Sequence, residues 1–357
     1  MRRKVLYLHA STILGGTELR SFQIASRLKD TFELAVLFHC PRGAICDYYR
    51  RENIPYMVTP FPRLGAALGV IRQFKPDIVH IFGLKTNVLW RPILSAMGYH
   101  HLIGHIAGLT NEGEKPSWLR VKIDLWTSRF LKVYLANSQR VADQLAQYGF
   151  QPGKLRVIHN GVIVPATLPV TSPHTPPVIL SVGNLRPVKG QRYLIDALKQ
   201  LHDRGIAFKA WIVGVGPDQS MLQTLIREYR LEDSVQLLGE LDNPALLTLM
   251  ENADVFALLS LSEGISGAAM EAMAHGLPVV VSNVGGMSEL VSQGVEGYLV
   301  PARTATEAAD RLAELIAQPV LRSTLREKAY AKIKSQFNLD DTIRHYEKLY
   351  LNDAFSS

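Results

Sequence analysis

The 357-residue chain has only two cysteines, Cys40 and Cys46, and neither stands in a cluster of residues spaced as metal ligands. That scarcity excludes a disulfide framework and a zinc-centred fold. Long apolar runs are missing too: no stretch approaches the roughly 20 residues that a membrane-spanning helix requires. At the start, the basic Met1–Lys4 and apolar Val5–Leu8 are cut off by Ser11 and the Gly15-Gly16 turn, too early for a secretory signal. The expectation is a cytoplasmic protein. No third glycine follows Gly15 and Gly16 at the spacing of the dinucleotide fingerprint, and no Asp-x-Asp pair is present.

What is present describes a soluble α/β protein. With 47% apolar residues the chain is too long for a single core and suits two domains. Apolar runs that read as buried strands, such as Lys4–His9, Glu33–Phe38 and Asp77–Phe82, alternate with helical segments. The pattern is interrupted by PATLPVTSPHTPP, an extended connector by its prolines, and starts again at Val178. Charge divides along the same line. Residues 1–165 hold 22 Lys and Arg against 10 Asp and Glu, a net of +12, and the remaining 17 and 22 give −5. A basic first half points to an anionic surface or substrate.

Two loops in the second half carry chemistry. In VGNLRPVKGQ, Arg186 and Lys189 stand three apart before Gly190 and a helix start. A forked guanidinium and a compact ammonium at that place suit a diphosphate. In SEGISGAAMEAMAHGLPVV, Glu263 and Glu271 are eight positions apart, with Gly264, Ile265, Ser266 and Gly267 between them ahead of a helix. Backbone amides at such a helix start favour anions or sugar hydroxyls. In the first half, Gly15 and Gly16 lie between an apolar strand and an amphipathic helix, which lets the backbone approach a phosphate closely. His105 ends the apolar part of LIGHIAGL, where loops of parallel sheets carry ligands.

Taken in order, GGTE at Gly15–Glu18, the Arg186 and Lys189-Gly190 run, and the Glu263 to Glu271 signature resemble family GT4 of the retaining glycosyltransferases (glycosyltransferase group 1). The resemblance extends through LANSQRVADQL, LRVIHNGV and NVGGMSELV and so spans nearly the whole chain. It implies the GT-B fold, two Rossmann-like domains facing each other across a cleft. An acceptor-side domain would take residues 1–165, a linker 166–177 and a nucleotide-sugar domain 178–339. The terminal segment, about 340–357, would pack back on the first domain. The implied activity is a hexosyltransferase-type transfer from a UDP- or GDP-sugar to a glycan or lipid-linked acceptor in polysaccharide or glycolipid synthesis.

By the same resemblance Glu271 holds the ribose, Arg186 and Lys189 the diphosphate, and Gly264–Gly267 the sugar. Gly15 and Gly16 border the diphosphate, and Glu263 and His105 stand at the reaction centre. No metal, cofactor or nucleic-acid partner is implied. Gly267, Ala268 and Ala269 stand where many relatives carry Asn or a bulkier residue, so donor identity does not carry over. An epimerase or phosphorylase on the same fold, and a non-catalytic sugar-nucleotide-binding protein, remain as alternatives.

The segment 116–132 reads as a helix. At 100° per residue Leu119, Ile123, Trp126 and Phe130 form an apolar stripe assigned to the core. Trp118, Val121 and Leu125 mix with Lys122, Arg129 and Lys132 on the adjoining face. That mixture suits a lipid headgroup layer, with peripheral contact to the inner face of an anionic membrane as the expectation.

Overall fold

The computed structural model describes residues 2–13, 15–61, 63–106, 117–170 and 173–351. Pro116, the linker residues Thr171 and Ser172, the end of LIGHIAGL from 107 onward, and 352–357 of the terminal segment lie outside them. The chain divides into two compact units, one built from residues up to 160 together with those from 340, the other from 161–339.

The first unit is a seven-stranded sheet of β1 (Lys4–His9), β2 (Glu33–Phe38), β3 (Tyr56–Val58), β4 (Ile78–Phe82), β5 (Leu102–Ile106), β6 (Val133–Ala136) and β7 (Leu155–Val157). All pairings are parallel, in the order β3-β2-β1-β4-β5-β6-β7. The second unit contains β8 (Val178–Val182), β9 (Lys209–Val213), β10 (Val235–Gly239), β11 (Val255–Leu258), β12 (Val279–Ser282) and β13 (Gly297–Val300). Its order is β10-β9-β8-β11-β12-β13, again parallel. In both units the order reverses beside the first strand. This doubly wound arrangement opens a crevice at the carboxyl ends of the two strands flanking the reversal.

Strands buried on both faces explain the continuous apolar runs. Each sheet is sandwiched between two apolar clusters. One face of the first sheet is covered by the terminal helix Leu339–Leu351, whose Tyr346 and Tyr350 are fully buried there with Val5, Tyr7, Phe82 and Ile103.

The passage between units falls at 160/161, ahead of the proline-rich stretch. That stretch is strapped onto the second unit. Tyr330 donates to the Pro165 carbonyl at 2.8 Å, Arg326 to that of Pro169, and His174 Nδ1 lies 3.0 Å from Asp254. Immediately after 160, Val162 forms a bridge with Asn338.

The helix Trp118–Ser128 is turned the other way from the sequence reading. Val121, Asp124 and Thr127 are buried, whereas Leu119, Ile123 and Trp126, three of the four residues of the stripe assigned to the core, are exposed; the fourth, Phe130, is half-buried and packs against the core. The cause is a buried polar network. Arg91, on the helix Leu84–Ala96, pairs with Asp124 with both side chains fully buried. Tyr134 Oη donates to Asp124 Oδ2 at 2.8 Å, and the guanidinium also donates to Thr127 Oγ1 at 3.1 Å and Asn87 Oδ1 at 3.0 Å. Truncating one partner strands the other charge in the core. Asp124→Ala is therefore expected to cost about 3–5 kcal/mol of stability in denaturant titration; a loss below about 1 kcal/mol would contradict a fully desolvated pair.

Candidate functional site

The two loops singled out in the second half follow β8 and β11, the strands on either side of the reversal in their sheet. The fold thus delivers both to one crevice. After β8 the chain passes Arg186, which is exposed, and a single 3-10 turn, Pro187–Lys189. Gly190 then caps the helix Gln191–Asp203 in the left-handed region, at φ +66°. A Cβ on Gly190 would sit 1.9 Å from the Leu259 carbonyl oxygen, so the β8 loop lies backbone to backbone on the β11 loop. The Leu261 amide donates to the Val188 carbonyl at 2.7 Å across the same seam.

That contact brings Lys189 and Glu263 together. Lys189 Nζ donates to Glu263 Oε1 at 2.6 Å, and Ser260 Oγ donates to the same oxygen at 2.8 Å. Glu263 is only 10% exposed at its side chain and Lys189 27%. The ammonium balances the charge of a carboxylate that would otherwise repel an anion at this spot, and the hydroxyl adds a hydrogen bond to the same oxygen.

The loop then runs into the helix Gly267–Ala274, one residue earlier than the spacing suggests. Ser266 is its cap, its hydroxyl accepting from the Ala269 amide at 3.3 Å. Ile265 and Ser266 are buried, so these two contribute backbone rather than side chain to the crevice. Gly264 is held from behind: its carbonyl accepts from the Gly286 amide at 2.6 Å. A Cβ on Gly285, at φ +54°, would meet the Glu263 carbonyl at 1.6 Å. Glu271 lies one turn into the helix, half-buried. Nearby His275 is buried, which lowers its pKa, and the Glu251 and Glu271 carboxylates only partly offset this.

In the first unit, Gly15 caps the helix Gly16–Leu28 with extended backbone and without a side-chain cap. This cap follows β1, again beside the reversal of its sheet. A Cβ on Gly15 would press 2.7 Å from Glu18 Oε2, and a Cβ on Gly16 would meet open space.

His105 lies inside β5, and it is 5% exposed. Its Nδ1 is 3.3 Å from Tyr346 Oη of the terminal helix. It belongs to a buried cluster that the sequence reading did not assemble. His9, His80 and His105 occupy one face of neighbouring strands, with Phe82 stacked on His9 at 4.3 Å and on His80 at 4.2 Å. His80 Nδ1 is 2.6 Å from Tyr350 Oη, which donates to Tyr7 Oη at 3.0 Å. Burial pushes His105 down to about 4. Burial first and the charge of His105 second push His9 down to about 3. The alternating positions His80 and Phe82, each beside an apolar residue, were the available signal.

Ser260 was also missed, and nothing in its sequence surroundings distinguishes it from a loop serine. Among the described residues, no group of three or more His, Cys, Asp or Glu is arranged to hold a metal ion.

The sequence profile described as Glycosyltransferase Family 4 matches residues 14–164, and that of Glycosyl transferases group 1 matches 169–332. WcaL of Salmonella typhimurium, named as a glycosyltransferase of colanic acid biosynthesis, is 37% identical over 55% of this chain and 51% of its own length. The amylovoran biosynthesis glycosyltransferase AmsK of Erwinia amylovora is 37% identical over 46% of this chain and 42% of its own. The matched region thus spans about half the length of these curated relatives. The crystal structure of Anabaena Alr3699/HepE in complex with UDP superposes with a TM-score of 0.85 at 26% identity, covering 97% of this chain and 99% of that one.

Proposed function

Because the chain belongs to the group 1 glycosyl transferases of family 4, with the α/β architecture of GT-B enzymes, we propose that it transfers a hexose from a nucleoside diphosphate sugar to a glycan or lipid-linked acceptor, with retention at the anomeric carbon. The carrying observation is the convergence of Lys189, Ser260 and Glu263 in the crevice between β8 and β11. A cation, a caged carboxylate and a helix start share that place, as binding of an anionic sugar donor requires.

In this reading Arg186 and Lys189 take the diphosphate, and their catalytic value lies in stabilising the charge that grows on the leaving group. Glu271 accepts from the ribose hydroxyls. The Gly264–Gly267 backbone and Glu263 surround the sugar. Departure and attack on one face, assisted by the diphosphate, give retention without a carboxylate nucleophile. With two cations on the phosphates, turnover is expected to be unchanged in chelator.

UDP and UDP-glucose are the first ligands to test, since Anabaena Alr3699/HepE, at 25% identity and a TM-score of 0.84, has been crystallised with UDP-glucose. The names of WcaL and AmsK, glycosyltransferases of colanic acid and amylovoran biosynthesis, support a growing polysaccharide as acceptor. A ligand at about 100 times its Kd stabilises the native state by about 2.7 kcal/mol. UDP-, GDP- and ADP-sugars screened by thermal shift should therefore yield one clear riser. No shift with any of them would reject the reading; nucleoside diphosphate released only when acceptor is present would favour transfer over an epimerase, which returns a nucleotide sugar, and over a phosphorylase, which consumes orthophosphate.

A further inference from the structure

The helix Trp118–Ser128 is mounted with its polar side inward. The Arg91–Asp124 pair fixes its rotation, and the price is an exposed apolar face: Trp118 is 67% exposed, Leu119 53%, Ile123 40% and Trp126 56%. At 100° per residue these four share an arc of about 140° with Lys122 and, just beyond the helix, Arg129. No carboxylate lies on that arc, because Asp124, the one acid of the helix, is buried. Each cation rests on an indole: Lys122 Nζ is 4.7 Å from the Trp118 ring centroid, and the Arg129 guanidinium 4.1 Å from that of Trp126.

Four large apolar side chains on eleven helical residues need a cover. We propose that this face docks on the anionic surface of a lipid bilayer, with the helix lying in the plane of the interface. Trp118, Leu119, Ile123 and Trp126 enter the boundary between headgroups and acyl chains, and Lys122 and Arg129 meet lipid phosphates. Cations laid flat on indoles keep their positive ends at the depth of the headgroups while the rings go deeper. The net +12 of residues 1–165 adds long-range attraction to such a surface. A second copy fits poorly: a two-fold contact through this face would set Lys122 and Arg129 against their own images with no acid opposite. Among the described residues no helix is long and apolar enough to cross a membrane, consistent with one lying flat. The inference draws on the glycosyl-transfer reading only for the idea that the acceptor is lipid-borne.

The test is co-sedimentation of the whole chain with vesicles of phosphatidylcholine, alone or mixed with phosphatidylglycerol. The wild type should bind the mixed vesicles and leave the neutral ones largely bare. A Trp118→Ser, Trp126→Ser double variant should lose at least about tenfold in partitioning, and a Lys122→Gln, Arg129→Gln double variant should lose the preference for phosphatidylglycerol. All four side chains are exposed, so the variants should keep the wild-type circular dichroism spectrum and any nucleotide-dependent melting shift. Wild type left in the supernatant, or an indole variant that binds like wild type, overturns the proposal. So does a dimer in light scattering that the indole variant dissolves while neither form binds vesicles. Vesicle binding without any nucleotide shift upholds this surface and refutes the transferase reading; a nucleotide shift without vesicle binding refutes this surface alone.

Discussion

Lys189→Ala is expected to lower turnover by about 10²–10³, because it removes the cation that sits at the mouth of the crevice where a leaving diphosphate would gather charge. The fold should survive: Lys189 is partly exposed, and the one described hydrogen bond of its side chain is to Glu263. Losing it also leaves Glu263 with only the Ser260 hydroxyl, so a bare carboxylate would face the anionic donor. The deficit therefore combines lost attraction with new repulsion. Glu263→Gln in the same background should restore part of the rate, a non-additivity expected of groups in contact. Glu271→Ala should act differently. A hydroxyl held by a charged acceptor contributes about 1.5–3 kcal/mol, which appears as a donor KM raised by roughly 10- to 150-fold. Steady-state kinetics with a sugar donor chosen from the thermal screen separate the two. Rates within about threefold of wild type in both variants would remove Lys189 and Glu271 from the mechanism.

Acid should unfold the first unit well before the carboxylates are fully protonated. His9 and His105 are buried neutral, with pKa values pushed down to about 3 and about 4. His80 is also held well below its ordinary value, by burial first and then by the charges of His105 and His9. In the unfolded chain all three take up a proton near pH 6.5. Below that value the unfolded state binds more protons than the native one, so stability rises with pH. The contribution is fully present above about 6.5 and is lost as pH falls toward about 4 and then about 3. Each histidine adds a slope of up to roughly 1.4 kcal/mol per pH unit, so several kcal/mol disappear between about pH 6.5 and about pH 5. Melting temperatures across that range should drop steeply, and His9→Phe, which keeps a flat ring against Phe82, should flatten the curve by about one histidine's share. A melting temperature constant over that interval would mean that the cluster hydrates and protonates without unfolding.

Local pattern carried much of the architecture. The apolar runs became strands because parallel sheets bury both faces, and the motif loops landed at the carboxyl ends of β8 and β11 because βα units place loops there. What could not be read locally depends on partners far away in the chain. Helical periodicity assigned Leu119, Ile123 and Trp126 to the core, yet Asp124 finds Arg91 33 residues upstream, and that pair decides which side of the helix faces in. The prolines of the connector read as extended, but Tyr330 and Arg326, roughly 160 residues later, bind it down. His105 ends an apolar run as read, but the ring lies in a layer with His80 and Tyr346 that only the sheet register and the terminal helix assemble. The Lys189–Glu263 contact was likewise hidden, since each residue belongs to a separate motif.

The return of the terminal helix has a consequence for biosynthesis. A ribosome that has delivered residues 1–160 has released seven strands but not Tyr346 and Tyr350, which complete the apolar layer over Tyr7 and Ile103. The unit translated first is therefore the one finished last, and its sheet waits half-clothed while the whole of 161–339 emerges and folds. Any shortened version for expression must graft residues 340–351 back onto 1–160, since a simple cut between the halves leaves one half without its lid.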